Sequence, residues 1–596
     1  MADDDGSDAS TQSPELRGNP SEGDWVVQKF GGTSIGKFVE VIAQTIVPRY
    51  LDEGHRVALV CSARSGQSKS TGTTNLLIQA AQEALRPTSV LPDELANGRQ
   101  PSPAMTPSIA SASRPNPLSL STQRLQRSGS SAVLNSSGYN SPGPRGSGSL
   151  SNSLASLKTC DQASAFDGTV DKIKSDHLSA ARSCISDPWI LRQLEEELSG
   201  DCEALRSFLL AAQIIDEISL RSKDIIVGYG ERLSCRIVAA MLEDKGFASE
   251  FVSLESVLPK PSEAQSLGQA EQQLSQAFYD DLAGRLGQRL RQCEGRIPVV
   301  TGFFGIVPGS LLLQIGRGYT DLCAALCAVG LQASELQVWK EVDGIFTADP
   351  RKVPTARLLP RITPEEAAEL TYYGSEVIHP FTMEQVIRAA IPIRIKNVQN
   401  PAGAGTVIFP DSLQNGRAAK PAMTHINGSA PRLPTAVTIK DNIVVLNIHS
   451  NRRTISHGFF AGMFATLDRY GIVVDLISTS EVHVSMAMND TIRKGLLDSL
   501  LADLKKLGEI TVKHDMAILS LVGKEMQHSV GIAGKMFTTL ADGSVNIEMI
   551  SQGSSEINIS CVIENRDAAK ALNLIHLRLL SLAVPPGVPQ SPISYV

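Results

Sequence analysis

Unbroken apolar runs, each followed by small turn residues, dominate the first half of the chain. DWVVQKF, beginning at Asp24, reads as a buried strand, GGTS as a tight turn into a helical stretch, and HRVALVCSA (55–63) as a second strand. Runs of this kind, rather than alternation of apolar and polar positions, predict a parallel sheet covered on both faces. Helical patterning resumes over 163–218. DIIVGYGE (224–231) is expected as another strand feeding a glycine turn and a helix, and RIPVVTGFFG (296–305) repeats that logic. ELQVWKEVDGIF (335–346), PIRIKN and TVIFP supply further strands, so this region, 24–410, should close near residue 410.

Three stretches lack any such pattern. Residues 1–23 are polar and acidic, 87–157 collapse into Ser, Pro, Gly, Asn and Gln, and 411–434 form a polar linker. None can bury enough apolar surface to offset its ordering entropy, so the first two are expected to be disordered and 87–157 is an insertion within the larger domain. The insertion reads first as an inert spacer; the alternative is regulation, since RLQRS, with Arg124 and Arg127 ahead of Ser128, fits a basic-directed phosphorylation pattern of low specificity.

Beyond the linker the chain repeats itself. GMFATLDRYGIVVDLIS (462–478) returns as KMFTTLADGSVNIEMIS (535–551), an offset of about 73 residues. Each copy reads strand, helix, strand, strand, with an amphipathic helix following near 490–507 and 566–580. That order is the ferredoxin-like β-α-β-β-α-β unit, and it predicts domains at 435–513 and 514–585, with a tail at 586–596.

Composition narrows the partners. The 596 residues carry a net charge of −7 with 20% charged and 42% hydrophobic residues, which disfavours nucleic acid. No apolar stretch approaches the roughly 20 residues of a membrane-spanning helix. The N-terminus resembles neither a secretory signal nor a mitochondrial presequence, and the expectation is a cytoplasmic protein with no membrane partner. Nine cysteines without a CxxC pair and ten histidines without an HExxH cluster predict no protein-held metal. Cys323 and Cys327 read as core packing.

Three clusters carry candidate chemistry. In KFGGTS, Lys29 could neutralise charge on a transferring phosphoryl group, and Gly31 and Gly32 let phosphate approach backbone amides. A structural strand-to-helix turn would look the same. In GYGERLS, Glu231 is expected where a loop becomes a helix, able to grip a substrate ammonium group or simply to favour the helix dipole. In IGRGYTDLCAALCAVG, Thr320 is expected as an N-cap with Asp321 in the first helical turn, and Arg317 could clamp a carboxylate. No GxxxxGK[ST] and no complete GxGxxG occurs, which disfavours a Walker site and a dinucleotide-binding oxidoreductase.

Together KFGGTS (29–34), GERLS (230–234), GRGYTD (316–321) and WKEVDGIFTADPRKV (339–353) resemble the signatures of aspartate kinases, most closely the fungal monofunctional type. The resemblance implies an amino-acid-kinase fold, an open α/β sheet with helices on both faces, followed by two α+β ferredoxin-like ACT domains. It implies ATP, with Mg²⁺ bound through it, phosphorylating the β-carboxylate of L-aspartate. By resemblance Lys29 contacts the transferring group, Gly31, Gly32 and Thr33 line the phosphate turn, and Thr74 lies near the amino acid. Glu231 holds its amino group, Arg317 its α-carboxylate with Thr320 beside it, and Asp321 orients Lys29. The nucleotide is expected along Lys340, Glu341, Phe346 and Arg351. Phe346 stands where many relatives have Tyr, and Glu376 where many bacterial ones have Lys. The resemblance also implies a homo-oligomer through the ACT domains and threonine as allosteric inhibitor, at Ser456, Gly458, Phe459, Phe460, Val474 and Asp475. The alternative reading has Phe459 and Phe460 as core residues and the tandem only dimerising. The competing readings are another carboxylate kinase of the same fold and an amino-acid-binding regulator with an inactive kinase core.

Overall fold

The structure, a computed structural model, describes residues 16–66, 72–86, 164–258, 274–307, 310–373, 378–409, 434–450, 458–480, 482–490 and 494–580. The insertion at 87–157, the linker up to 433 and the tail therefore lie outside the described residues. Of 1–23, expected to be disordered, residues 16–23 are ordered against the domain instead: Arg17 bridges Phe247, and the Asn19 side chain accepts the Val57 N–H at 2.8 Å. The apolar runs form strands β1 (Trp25–Phe30), β2 (Arg56–Cys61), β4 (Ile297–Thr301), β5 (Glu335–Lys340), β7 (Ile393–Asn397) and β8 (Thr406–Ile408). Two short strands without a strong pattern join them, β3 (Ser249–Val252) and β6 (Arg361–Ile362). The eight-stranded order is β3-β4-β2-β1-β5-β7-β8-β6, parallel except between β7 and β8.

Every residue of β1 is buried. Trp25 and Val27 pack into the core that includes the Tyr319–Leu331 helix, and Val26 and Phe30 into the opposite core with the Leu220–Asp244 helix. This two-sided covering explains the unbroken apolar run. Lys29 shares the face of Trp25 and Val27, so it projects toward the helix that carries Asp321. Chain order reverses at β1, with β2 on one side and β5 on the other. Such a switch leaves a crevice beyond the carboxyl ends of the strands.

DIIVGYGE is not a strand. Leu220–Asp244 is one continuous helix, capped by Ser219, whose hydroxyl accepts from the Ser222 N–H. Its glycines serve close packing rather than a turn. A Cβ at Gly228 would meet the Phe303 ring at 2.9 Å, and one at Gly230 would meet Ala63 and Leu77 at 3.0 Å. A helix buried on nearly all sides loses the amphipathic period, which is why the run imitates a core strand. Glycines likewise bring the Gln276–Arg291 and Tyr319–Leu331 helices backbone to backbone: a Cβ at Gly330 would lie 1.9 Å from the Ala283 carbonyl oxygen. Cys323 and Cys327 sit inside that packing as buried core residues.

The repeat forms a second sheet, with β9 (Ala436–Ser450), β10 (Leu476–Thr479), β11 (His483–Asn489), β12 (Gly508–Val522), β13 (Met549–Gln552) and β14 (Asn558–Glu564) in the antiparallel order β10-β11-β9-β12-β14-β13. The expected boundary at 513/514 falls inside β12. Both β9 and β12 are 15 residues long and run through both copies: 443–450 pairs with 508–516, and 436–440 with 518–522. Register shifts between Lys513 and Ile518 separate the halves, with Asn442 and Asp515 in left-handed conformations (φ 59° and 56°). The Phe459–Arg469 and Lys494–Leu504 helices accompany one half, and the Ile532–Asp542 and Ala568–Ile575 helices the other. Ala348 and Val353, from the segment after β5, are buried in the second half's core beside Met536 and Leu572.

Candidate active site

A cavity of about 700 Å³ opens beyond the carboxyl ends of β1, β2 and β5. Lys29, Gly31, Gly32 and Thr33 form one wall where β1 passes into the Gly32–Val41 helix. Glycine is required at 32, because a Cβ there would lie 2.2 Å from the Ala63 carbonyl oxygen. Lys29 Nζ lies 2.8 Å from Asp321 Oδ1, both largely shielded. Ser34 Oγ donates to Glu341 Oε1 at 2.8 Å, tying the glycine turn to the end of β5. Thr73 and Thr74, at the start of the Thr73–Ala84 helix, close the opposite side.

Glu231 sits in the middle of its helix, not at a loop-to-helix junction, and is 1% exposed. It accepts from the Phe303 N–H and from Thr320 Oγ1, each at 2.7 Å. Burial pushes its carboxyl up to about 7, against the pull of these donors and of Tyr319 and Gly302. Thr320 is not the N-cap; Gly318 is, and the threonine hydroxyl serves Glu231 instead. Tyr319–Leu331 still places Asp321 in its first turn, as expected. Arg317 lies on the short turn Gly316–Gly318 ahead of that helix, and its side chain lies outside the described residues.

Of the expected nucleotide contacts, Lys340 and Glu341 line the cavity. Phe346 and Arg351 are not in its lining. Phe346 forms a β-bridge with Leu358, and Arg351 is 87% exposed at the side chain and pairs with Asp349 at 2.9 Å. Glu376 lies outside the described residues.

The comparisons with known proteins fall on this geometry. The amino acid kinase family model matches residues 24–397, and an ACT domain model matches 519–579. The aspartokinase of Schizosaccharomyces pombe is 47% identical over 95% of this chain and 94% of its own length. That of Saccharomyces cerevisiae is 43% identical over 94% of each. The chain belongs to the aspartokinase family. Escherichia coli aspartokinase III, solved with aspartate and ADP, shares the fold at 24% identity and a TM-score of 0.61, covering 94% of this chain and 100% of that one. The same enzyme solved with lysine and aspartate gives a TM-score of 0.63 over 93% and 99%. The chain is thus an aspartate kinase, with an amino-acid-kinase domain followed by ACT structure.

Several residues of this aspartokinase escaped sequence reasoning. Arg64 lines the cavity, its N–H donating to Ser234 Oγ at 2.7 Å and its guanidinium paired with Asp176. Thr371, Ile378 and His379 line it from the far side. Trp339 also lines it, backed by the buried Lys396 with its ammonium 5.1 Å from the ring. Burial, helped by Arg49 and Arg394, pushes that lysine down to about 8. Asp224, on the Glu231 helix, accepts from Ser310 and from two backbone amides. Its one signal in the sequence is an acidic residue at the head of an apolar run, where it continues the polar stretch RSK.

In the ACT region Ser456 lies outside the described residues. Gly458 caps the Phe459–Arg469 helix in a left-handed conformation (φ 84°), and Phe459 is 6% exposed in the core with Met463. Phe460 packs partly buried at that core, its ring 5.5 Å from Phe459. Asp475 accepts from Lys440 Nζ at 2.7 Å and lines a second cavity, about 240 Å³, with Glu369, Tyr373, Asn558 and Ser560. Gly458, Phe459, Phe460 and Val474 are not in that lining. Among the described residues no helix is long and apolar enough to cross a membrane.

Proposed function

We propose that the enzyme transfers the γ-phosphoryl group of ATP to the β-carboxylate of L-aspartate, giving 4-phospho-L-aspartate and ADP as the first step toward threonine, methionine and isoleucine. The observation that carries this reading is the Lys29–Asp321 pair facing the glycine turn, with Glu231 buried on the same cavity. A β-carboxylate oxygen forms a bond to Pγ while the bond from Pγ to the bridging oxygen of ADP breaks. The carboxylate is already ionised at neutral pH, so no general base is needed. The barrier lies in bringing two anions together.

Lys29 meets the charge on the transferring group, and Asp321 holds that ammonium in place. The Gly31–Gly32–Thr33 turn, at the N-terminus of a helix, suits phosphate oxygens. Glu231 takes the substrate ammonium and Arg317 the α-carboxylate, with Thr74 and Thr320 beside it. Lys340 and Glu341 border the nucleotide, and Phe346 and Arg351, expected there by resemblance, stand off the cavity lining. Among the described residues no cluster of three or more His, Cys, Asp or Glu side chains is placed to hold a metal by itself. Mg²⁺ riding on ATP phosphates fits this donor set, since it needs only one or two carboxylates, and Asp321 and Glu341 border the cavity. When bound, the ion supplies charge neutralisation on the phosphates. ADP release measured with aspartate, glutamate and acetylglutamate tests the reading; turnover of either alternative in preference to aspartate, or of none, overturns it.

Regulation is proposed at the ACT region, with threonine as inhibitor and the ACT domains pairing copies of the chain. The turn at Gly458, which opens a helix, suits an amino acid's carboxylate, and Asp475, here paired with Lys440 in a cavity that Gly458 does not line, is the proposed partner for its ammonium. Activity against added threonine, lysine and methionine, beside an Asp475→Ala variant, decides it. Inhibition by lysine alone changes the effector, and unaltered threonine inhibition in the variant moves the pocket.

A further inference from the structure

Two carboxylates face the same side of the Leu220–Asp244 helix. Asp224 and Glu231 stand seven residues apart, about two helical turns, and both are buried. Glu231 holds the two ends of one loop, Phe303 just beyond β4 and Thr320 in the following helix. Asp224 holds the stretch between them. Its carboxylate accepts the Ser310 hydroxyl at 2.8 Å, the Leu311 N–H at 2.7 Å and the Leu312 N–H at 3.1 Å. These donors open the four-residue helix Leu311–Gln314. Ile315 N–H then bonds the Leu311 carbonyl at 3.0 Å, and the chain enters the Gly316–Gly318 turn and the helix of Thr320 and Asp321. Leu312 and Gly318 both line the active cavity.

A surface cap needs only a hydroxyl or an exposed carboxylate. Here an acidic side chain is 4% exposed, and burial still pushes its carboxyl up despite three donors. Sequestering a charge at such a cost is unusual for a four-residue helix, and it makes geometrical sense because a carboxylate alone accepts from three converging donors. We propose that Asp224 is a positioning residue for the aspartate side of the reaction: by pinning residues 310–312 it sets the Gly316–Arg317–Gly318 turn and so the affinity for aspartate, without touching substrate. The proposal rests on the reading that Arg317 grips the α-carboxylate. The nucleotide side is built on the β1 glycine turn and the end of β5, whereas among the described residues the Asp224 carboxylate is hydrogen-bonded to 310–312, so the effect falls on one substrate.

The test is steady-state kinetics of the full-length chain, with each substrate varied in turn, for Asp224→Asn, Ser310→Ala and Arg317→Lys. Asparagine presents an NH₂ to donors that need an acceptor. Asp224→Asn is expected to raise the aspartate KM about tenfold or more while the ATP KM stays within about twofold. Ser310→Ala, losing one bond of three, should move the aspartate KM the same way by about two- to fivefold. An unchanged aspartate KM in folded Asp224→Asn, or equal rises in both KM values, overturns the proposal. If Asp224→Asn does not fold, Ser310→Ala decides, and an unchanged aspartate KM there overturns it. Arg317→Lys separates the two claims. A normal aspartate KM in that variant, beside a raised one in Asp224→Asn, removes the Arg317 assignment and leaves Asp224 setting the turn.

Discussion

Replacing Glu231 by Gln tests whether one buried carboxylate serves substrate rather than fold. The carboxyl titrates near 7 instead of the ordinary 4.5. That difference of about 2.5, at about 1.36 kcal/mol each, is on the order of 3 kcal/mol held against the ionised form. Because the folded pKa is raised, the stability contributed by the protonated acid is fully present below about pH 4.5 and is lost as pH rises through about 7. Glutamine, neutral at every pH, avoids this loss but turns an NH₂ toward one of two donors. The Gln variant should therefore melt no lower than wild type at pH 8, and lower than wild type at pH 5.

Function should move the other way. A charge-assisted contact to the substrate ammonium is worth about 1.5–3 kcal/mol, so kcat/KM for aspartate should fall about ten- to a hundredfold in Glu231→Gln. In wild type, kcat/KM for aspartate should drop about tenfold per pH unit below about 7, as Glu231 takes up its proton, and the variant's profile should be level there. The assay is coupled ADP release at subsaturating aspartate between about pH 5.5 and 8.5. An undiminished kcat/KM in the variant, or a wild-type profile level down to the lowest pH, would refute the reasoning.

Asp321→Asn and Lys29→Ala should each lower kcat about a hundredfold or more, with circular dichroism unchanged; wild-type turnover in either removes the site assignment. Gly228→Ala places a methyl group 2.9 Å from the Phe303 ring and should cost about 1–3 kcal/mol in thermal or urea unfolding, whereas a turn glycine with free space around it would tolerate the change. Replacing 87–157 by a short Gly/Ser linker should leave kcat within about threefold; lost catalysis with ATP binding retained would make the insertion part of the active site.

What the sequence revealed depended on how each residue is surrounded. β1 and β2 were legible because both faces are covered and the apolar run is unbroken. DIIVGYGE carries the same run for another reason, a helix enclosed nearly all round, and periodicity cannot separate the two. Lys29 and Asp321 were legible as a pair through motif resemblance alone, since nothing local links residues so far apart. The Glu231–Thr320 bond was missed because Thr320 beside a helix start has an equally good local use as a cap. Asp224 was missed because an Asp that follows RSK at the head of an apolar run has no motif and reads as a solvated polar residue. The ACT boundary expected at KHDM falls within β12 at the register shift between its halves; what the repeat did not reveal is that 436–440, ahead of the first copy, pairs with the second half.

The two long strands constrain how such proteins can be rebuilt or recombined. Because β9 and β12 each thread both halves of the second sheet, neither half is a cassette that can be excised or exchanged with a homologue at one junction. A chimera joined at any single point within 436–522 splits a strand pair whose partners come from different parents. A slip of one residue there turns every side chain of the strand to the wrong face. Transplanting the second sheet of one protein into another therefore requires moving the whole stretch from β9 to the final helix together, or redesigning both long strands at once.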